Sequence, residues 1–421
     1  MSKFIIFVLF MVITAFSANA TTQNDIAPYF TDIPETNKNS NLQSSIPDLT
    51  DSDSLSESNF EPLHLSGVTE SLNDRIYRVN ETNVYFNETE YEIGGLHMVD
   101  KETIDLMQDT LNKRNISCIE GPGGTMIITT RVLNIIRNNP NDNFNIISTV
   151  ADDDEGRSII NGLKQENISY CKMPPKDTGN PATGKCLVLV TPDGQRTMFT
   201  YIGSKSNYNT QNIEPIRELY KNSDYFMIEG FAFMDPEYLG FLNIVIEEGS
   251  EKHKIIFLSS GIPCLKYVDN YKDENTLKNA LLKILKFVEN NALLVIGNES
   301  ELKMLTSTES ALEATIVLQE MGLSGSITRG NEGAIVFDNT SIYTVSAPNL
   351  EAKDTTGAGD YNAAGFLSEF IANKNIIRAG KIGAYSAGVR IISEGAQPTD
   401  HKEKLRNYES AQAIPHKKIE D

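Results

Sequence analysis

Short apolar runs that stop at glycine or a polar residue alternate with stretches of helical period over some three hundred residues, and this alternation leaves few folds open. FNIISTVAD (144–152), SDYFMIEGF (223–231), HKIIFLSS (253–260), ALLVIGN (292–298) and GSITRG (325–330) read as buried strands. Helical patterns fall at 102–114, 157–167, 275–291, 300–306, 309–321 and 361–372. Alternating strands and helices predict an α/β domain, a mostly parallel sheet in a three-layer α/β/α arrangement. In such a sheet ligands meet the carboxyl ends of the strands, so polar residues just after the strands are the informative ones. One segment breaks the pattern: GKCLVLVTPDGQRTMFTYIG (184–203) has two β-rich runs about Pro-Asp-Gly and predicts a hairpin. A hairpin inserted in an α/β chain suggests a small β-sheet lid, with lid segments near 74–95 and 184–203.

The flanks are of other material. Lys3, the mostly apolar run 4–16 and Ala18-Asn19-Ala20 have the charge, length and small-x-small end of a secretory signal peptide over 1–20. That predicts the secretory pathway or a secreted protein. Residues 21–60 are rich in Ser, Thr, Asn and Asp and cannot bury enough apolar surface to offset chain entropy, so a disordered acidic linker or pro-segment is expected. The folded domain is expected over 61–410, with a flexible tail at 411–421. The net charge of −20 repels nucleic acid and anionic membrane, so neither is an expected partner after signal cleavage. Four cysteines (Cys118, Cys171, Cys186, Cys264) permit two disulfides but fit no dense framework, and buried free thiols are the competing expectation. Only five histidines are present, which argues against a His-based metal site.

DTTGAGD (354–360) carries the chemistry. Gly357, Ala358 and Gly359 let backbone N–H groups converge ahead of a helix expected to begin near Asp360 or Tyr361, which makes an anion hole. A carboxylate beside an anion hole competes with the anion unless it serves as a base toward an attacking hydroxyl. The plain alternative is an acidic N-cap. This stretch, with Ala364-Gly365-Phe366-Leu367 after it, resembles the signature of the ribokinase-like (PfkB) family of sugar and nucleoside kinases. Similarity to that family, and to its adenosine kinase branch above all, runs from about 63 to 405.

The resemblance implies a ribokinase-like fold and a set of roles. Asp360 is then the catalytic base, and Gly357, Ala358 and Gly359 hold the transferring phosphoryl group. Arg196 on the lid hairpin reaches that phosphate. Asp74, closing LSGVTESLND (65–74), binds ribose hydroxyls, and Gly123 and Gly124 of GPGGTMII (121–128) approach the substrate. Thr328, Arg329, Gly330 and Gly333 of SITRGNEGAIVF (326–337), with Thr355, lie against ATP. Asn298 and Glu301 of NESE (298–301) fit the family's Asn-x-x-Glu motif, which orients Mg2+ through water. The implied cofactors are ATP and Mg2+, the implied substrate a small-molecule nucleoside or sugar, and the short lid hairpin leans toward a monomer. Tyr201 and Phe231 are candidates for stacking a base.

Two departures matter. Ile128 stands where the family usually has Asn, and Tyr361-Asn362 replaces a small residue and Phe. Three readings follow: an adenosine kinase-like enzyme acting on a purine nucleoside 5′-hydroxyl, a sugar kinase of ribose or fructose type, or a secreted pseudokinase that binds a nucleoside or a partner protein without turnover. Sequons begin at Asn80, Asn87, Asn115, Asn167, Asn298 and Asn339, and the one at Asn298 falls inside the magnesium motif.

Overall fold

Runs that are apolar on both faces form the middle of a ten-stranded sheet in the computed structural model, which describes residues 60–80, 91, 93–176, 181–193, 195–203, 213–247, 254–393 and 397–419. All of these belong to one compact unit, Leu49–Asp421. The expected signal peptide and nearly all of the expected linker lie outside the described residues, as does part of the first lid segment.

Along the chain come β1 (His64–Val68), β2 (Leu72–Arg78), β3 (Leu96–Met98), α1 (Lys101–Lys113), β4 (Cys118–Gly123) and α2 (Thr125–Arg137). Next are β5 (Asn143–Ser148), α3 (Asp154–Gln165), β6 (Ile168–Lys172), β7 (Thr183–Val190), β8 (Arg196–Gly203) and α4 (Glu214–Asn222). They are followed by β9 (Tyr225–Glu229), α5 (Tyr238–Glu247), β10 (Ile255–Leu258), α6 (Glu274–Asn291), β11 (Ala292–Asn298), α7 (Glu299–Thr306) and α8 (Ala311–Glu320). The last are β12 (Ser324–Thr328), β13 (Ala334–Phe337), β14 (Ile342–Val345), α9 (Ala358–Asn373), α10 (Ile376–Ile391), α11 (Lys402–Arg406) and β15 (His416–Ile419).

The large sheet runs β15-β14-β13-β12-β11-β10-β9-β1-β5-β6. It is parallel from β6 to β12 and antiparallel from β12 to β15. Phe226, Ile228, Phe257 and Val295 of the central strands pack with Tyr220, Phe241, Leu285, Leu302 and Leu318 of α4 to α8. Helices α2, α9 and α10 pack together as a second group. The α9–α10 contact is close because Gly365 and Gly383 stand at it. A Cβ on Gly365 would lie 2.5 Å from Ser386 Oγ, and one on Gly383 2.9 Å from the Asn362 carbonyl. The expected three-layer fold is therefore present, and it places the turn before α9 at the carboxyl edge of the parallel strands.

Three expectations are corrected. The expected β-sheet lid is present but larger than the hairpin at its centre, a five-stranded sheet, β3-β8-β7-β2-β4, with its own apolar cluster of Tyr77, Leu187, Leu189 and Phe199 against Ile104, Met107 and Leu111 of α1. The lean toward a monomer rested on the short hairpin and loses that support. The closing segment is not all tail, because His416–Ile419 pairs antiparallel with β14. Helix α9 begins at Ala358, so Asp360 sits inside its first turn. All four cysteines are free.

Candidate active site

Two of the helices that start without a side-chain cap, α2 and α9, begin beside each other, since Thr125 of α2 hydrogen-bonds the Asp360 carboxylate of α9. Gly124 precedes α2 with φ +98°, and Gly357 precedes α9 with φ +76°. Both values lie in the region that glycine alone enters freely. Carboxylates from outside the helix meet the start of α2, where Asp74 accepts from the Gly124 N–H and Glu229 from the Met126 N–H, while at α9 neither the Gly359 nor the Asp360 N–H is given a side-chain acceptor, which leaves that turn the better place for an anion. A Cβ on Gly359 would meet nothing within 4 Å, and one on Gly357 would meet only Asp360 Oδ2 at 3.7 Å and Arg390 Nε at 3.8 Å. There is thus open room over the Gly357–Gly359 turn, as an anion hole requires.

Asp360 and Asp74 converge there from opposite bodies. Asp360 comes from α9, and Thr125, the first residue of α2, hydrogen-bonds its carboxylate. Thr129 Oγ donates to the Asp360 carbonyl at 3.4 Å. Asp74 comes from lid strand β2 and accepts from the Gly124 N–H. Burial pushes Asp360 up to about 8, and the negative charge of Asp74 adds to the rise while Arg196 opposes it. Burial pushes Asp74 up to about 7 against the pull of Arg131. A carboxylate held near neutrality in a cleft is suited to taking a proton from an alcohol.

Arg196 begins β8 on the lid. Burial draws its guanidinium below the ordinary value, and Asp354 and Asp360 both act on it in the opposite sense. The structure therefore brings together Asp360, Gly357, Ala358, Gly359, Arg196, Asp74, Gly123 and Gly124. Ile128, half-buried on the first turn of α2, presents a wall that cannot hydrogen-bond a hydroxyl. Tyr361 is accounted for by packing: it is buried, and its hydroxyl shares a 2.9 Å hydrogen bond with His401 Nδ1.

The magnesium motif forms a capping box at the end of β11. Asn298 Oδ1 accepts from the Glu301 N–H at 3.0 Å, and Glu301 Oε2 accepts from the Asn298 N–H at 3.1 Å. Ser259 Oγ also donates to Glu301 Oε2 at 2.8 Å, in a space open only because residue 297 is glycine. No group of three or more His, Cys, Asp or Glu that could hold a metal exists among the described residues. A single half-buried carboxylate with one oxygen engaged fits a magnesium ion held by nucleotide phosphates and waters, and does not fit direct coordination by a protein cage.

The nucleotide residues are less uniform. Gly330 has φ +60° and open space beside it, as a close backbone approach needs. Thr328 Oγ donates to the Gly297 carbonyl at 3.3 Å, and Arg329 pairs with Glu332 at 2.9 Å. Thr355 is exposed, and its carbonyl accepts from the Ala358 N–H. Gly333 has a different cause. Its Cβ would lie 2.0 Å from the Val345 carbonyl, so strand packing demands the glycine. Phe231 covers Gly261, and Tyr201 packs beside the lid cluster; nothing brings the two together as a pair of stacking rings.

Four site residues escaped sequence reasoning: Thr125, Arg131, Glu229 and Arg390. Arg131 donates to Glu166 at 2.6 Å and to the Pro122 carbonyl, and its charge reaches Asp74. Glu229, buried at the end of β9, accepts from Thr69 Oγ at 2.5 Å and from the Glu70 and Met126 N–H groups at 3.3 Å. Burial pushes it up to about 7. An acid closing the otherwise apolar run YFMIE is the one signal that marked it.

A carboxylate raised by burial beside an open amide turn, under a lid sheet at the carboxyl edge of a parallel sheet, is an arrangement suited to transferring a phosphoryl group to an alcohol. The pfkB family carbohydrate kinase model matches residues 98–403, and the chain belongs to that family. It is 26% identical over 254 residues to an uncharacterized sugar kinase of Archaeoglobus fulgidus, covering 60% of this chain and 92% of that one. It is 23% identical over 271 residues to adenosine kinase of Saccharomyces cerevisiae, covering 61% and 74%. The solved adenosine kinase of Sinorhizobium meliloti superposes with a TM-score of 0.63 at 20% identity, covering 82% of this chain and 99% of that one. Sugar and nucleoside kinases thus both stand among its relatives.

Proposed function

We propose that this chain is an ATP- and magnesium-dependent kinase that phosphorylates the 5′-hydroxyl of a purine nucleoside. The observation that carries the proposal is the meeting of Asp360 with Asp74 at two uncapped helix starts. Asp74 accepts hydrogen bonds from a vicinal diol and so holds a ribose-like acceptor with its primary hydroxyl toward Asp360. Asp360 takes the hydroxyl proton as that oxygen attacks the γ-phosphorus of ATP, the bond from that phosphorus to the β,γ-bridging oxygen breaks, and ADP leaves. The Gly357–Gly359 amides and Arg196 stabilise the charge on the transferring group. Magnesium, when bound, neutralises phosphate charge, and Glu301 orients its water shell. The lid sheet excludes water, so the alcohol is the acceptor.

A sugar kinase among the relatives favours a second reading in which the acceptor is a sugar such as ribose or fructose, while the apolar wall at Ile128 weighs toward a third. A chain that binds a nucleoside without turnover is the third. The N-terminal signal pattern adds that the reaction takes place within the secretory pathway.

A coupled ADP-release assay tests these readings. The full chain is given ATP and Mg2+ with adenosine, inosine, guanosine, ribose or fructose, and Asp360→Asn serves as control. Turnover on adenosine that is lost in Asp360→Asn supports the proposal. Turnover on sugars alone moves the acceptor to the second reading. Nucleoside binding with no turnover leaves the third.

A further inference from the structure

We infer that Arg390 is a positioning residue of phosphoryl transfer, a fixed guanidinium that charges the Gly357–Gly359 turn from behind. The inference rests on the phosphotransfer reading above. Arg390 lies in the last turn of α10 and is 3% exposed. An arginine buried there is costly unless its donors are engaged. They are: Nη2 donates to Asp354 Oδ2 at 2.9 Å, and Nη1 donates to the Ser393 carbonyl at 2.9 Å.

The partner is the first residue of DTTGAGD. Asp354 is 1% exposed, and its Oδ1 accepts from the Thr356 N–H at 2.9 Å, which shapes the turn that follows. The Lys353 and Asp354 N–H groups both donate to the Ile391 carbonyl, so the segment ahead of the turn is stitched to the end of α10. Arg390 therefore fixes the turn through Asp354 and cannot swing away from it.

Its position gives it a second effect. The point where a Gly357 Cβ would stand is 3.8 Å from Arg390 Nε and 3.7 Å from Asp360 Oδ2. The guanidinium is thus adjacent to the open turn and to the base at once. Two more arginines approach from the lid. Arg78 Nη2 lies 3.9 Å from Asp354 Oδ2, and Arg196 feels the charges of Asp354, Asp360 and Arg390. Three guanidiniums face Asp354, Asp360 and Asp74, and burial keeps the last two carboxyls partly protonated at neutral pH. A surplus of positive charge remains where the proposed reaction gathers negative charge on the equatorial phosphoryl oxygens. Arg78 and Arg196 belong to the lid and depend on its closure, whereas Arg390 belongs to the body and does not.

The test separates this role from mere support of the fold. ADP with MgCl2 and ADP with MgCl2 and aluminium fluoride are titrated calorimetrically into the full-length wild type, Arg390→Lys, Arg390→Met and the double variant Asp354→Asn/Arg390→Met. Aluminium fluoride mimics the transferring phosphoryl group, while ADP alone does not occupy that position. Wild type is expected to bind the aluminium fluoride complex more tightly than ADP. Arg390→Met and the double variant are expected to lose about tenfold or more of that gain while holding ADP within about twofold, and Arg390→Lys to keep part of it. The double variant leaves no buried carboxylate unpaired, so it serves if Arg390→Met alone fails to fold. Equal weakening of both ligands, or an unchanged aluminium fluoride gain in either Met variant, would overturn the inference. Absence of ADP binding by wild type would instead remove the kinase reading, and this inference with it.

Discussion

A methyl group on residue 123 would stand 2.0 Å from Cγ of Asp74 and 2.1 Å from its Oδ2. Strands β2 and β4 pair antiparallel with Asp74 opposite Gly121, which sets Gly123 on the diagonal, and the carboxylate lies over it. What blocks a larger residue is thus the end of a movable side chain. Gly123→Ala is expected to leave the fold within about 1 kcal/mol of wild type while displacing the Asp74 carboxylate. The KM for the acceptor should rise about tenfold or more with a smaller change in kcat. Thermal denaturation and steady-state kinetics read the two effects. An unchanged acceptor KM would show that Asp74 does not hold the acceptor.

Asp360 gives a pH dependence whose sign is fixed. It acts as a base only when ionised, and burial pushes its carboxyl up to about 8. The value of kcat/KM should therefore climb with pH through roughly 7 to 8, where a carboxylate of ordinary pKa would give a flat profile. Asp360→Asn should lower kcat by about 10²–10⁴ and abolish that limb. A wild-type profile flat from pH 5 to 9 would remove Asp360 from the role of base.

Residues in the sequence told more about the scaffold than about its charges. Strand β11 and helix α7 were visible as the run ALLVIGN and the periodic segment after it, and both lie where read. Helix α10 was not, because IIRAGKIGAYSAGVRI is mostly Ala, Gly and Ile and faces neighbours on most sides, so no polar face marks its period. Of the site, DTTGAGD was legible as a local motif and Asp74 only through the family resemblance. Arg390 and Glu229 were not, because their partners Asp354 and Thr69 are 36 and 160 residues away. Only folding brings such pairs together, and a lone charged residue in an apolar stretch is their one trace. The full extent of the lid was not legible for a related reason, since β4 joins its sheet from outside the two expected segments, 74–95 and 184–203.

Three carboxyls also link pH to stability. Burial raises Asp74 and Asp360 from 3.8 to about 7 and about 8, and Glu229 from 4.5 to about 7. Between those limits the folded state binds protons that the unfolded state releases, so stability falls as pH rises. Their contribution is complete below about pH 4 and is lost through pH 7 to 8. The Tm of the ligand-free protein should decline from pH 5 to pH 8.5. Repulsion within a chain of net charge −20 acts in the same direction, so the variants isolate the effect. Asp360→Asn should raise Tm at pH 8.5 by more than at pH 5. An equal change at both values would mean that Asp360 ionises normally in the folded protein.

Glu301 allows charge to be removed without losing the fold. Its Oε2 accepts from Ser259 Oγ and from the Asn298 N–H, and glutamine offers one oxygen able to accept both. Glutamine is also a natural partner in a capping box, so α7 keeps its start and Tm should change little. What Glu301→Gln lacks is the negative charge that a hydrated magnesium ion meets. The Mg2+ concentration for half-maximal rate should rise about tenfold or more, with a fall in kcat and little change in acceptor KM. Titration of MgCl2 at fixed ATP and acceptor measures this. If the Mg2+ dependence of Glu301→Gln overlays that of wild type, the motif is a helix cap alone and the metal is oriented by other groups.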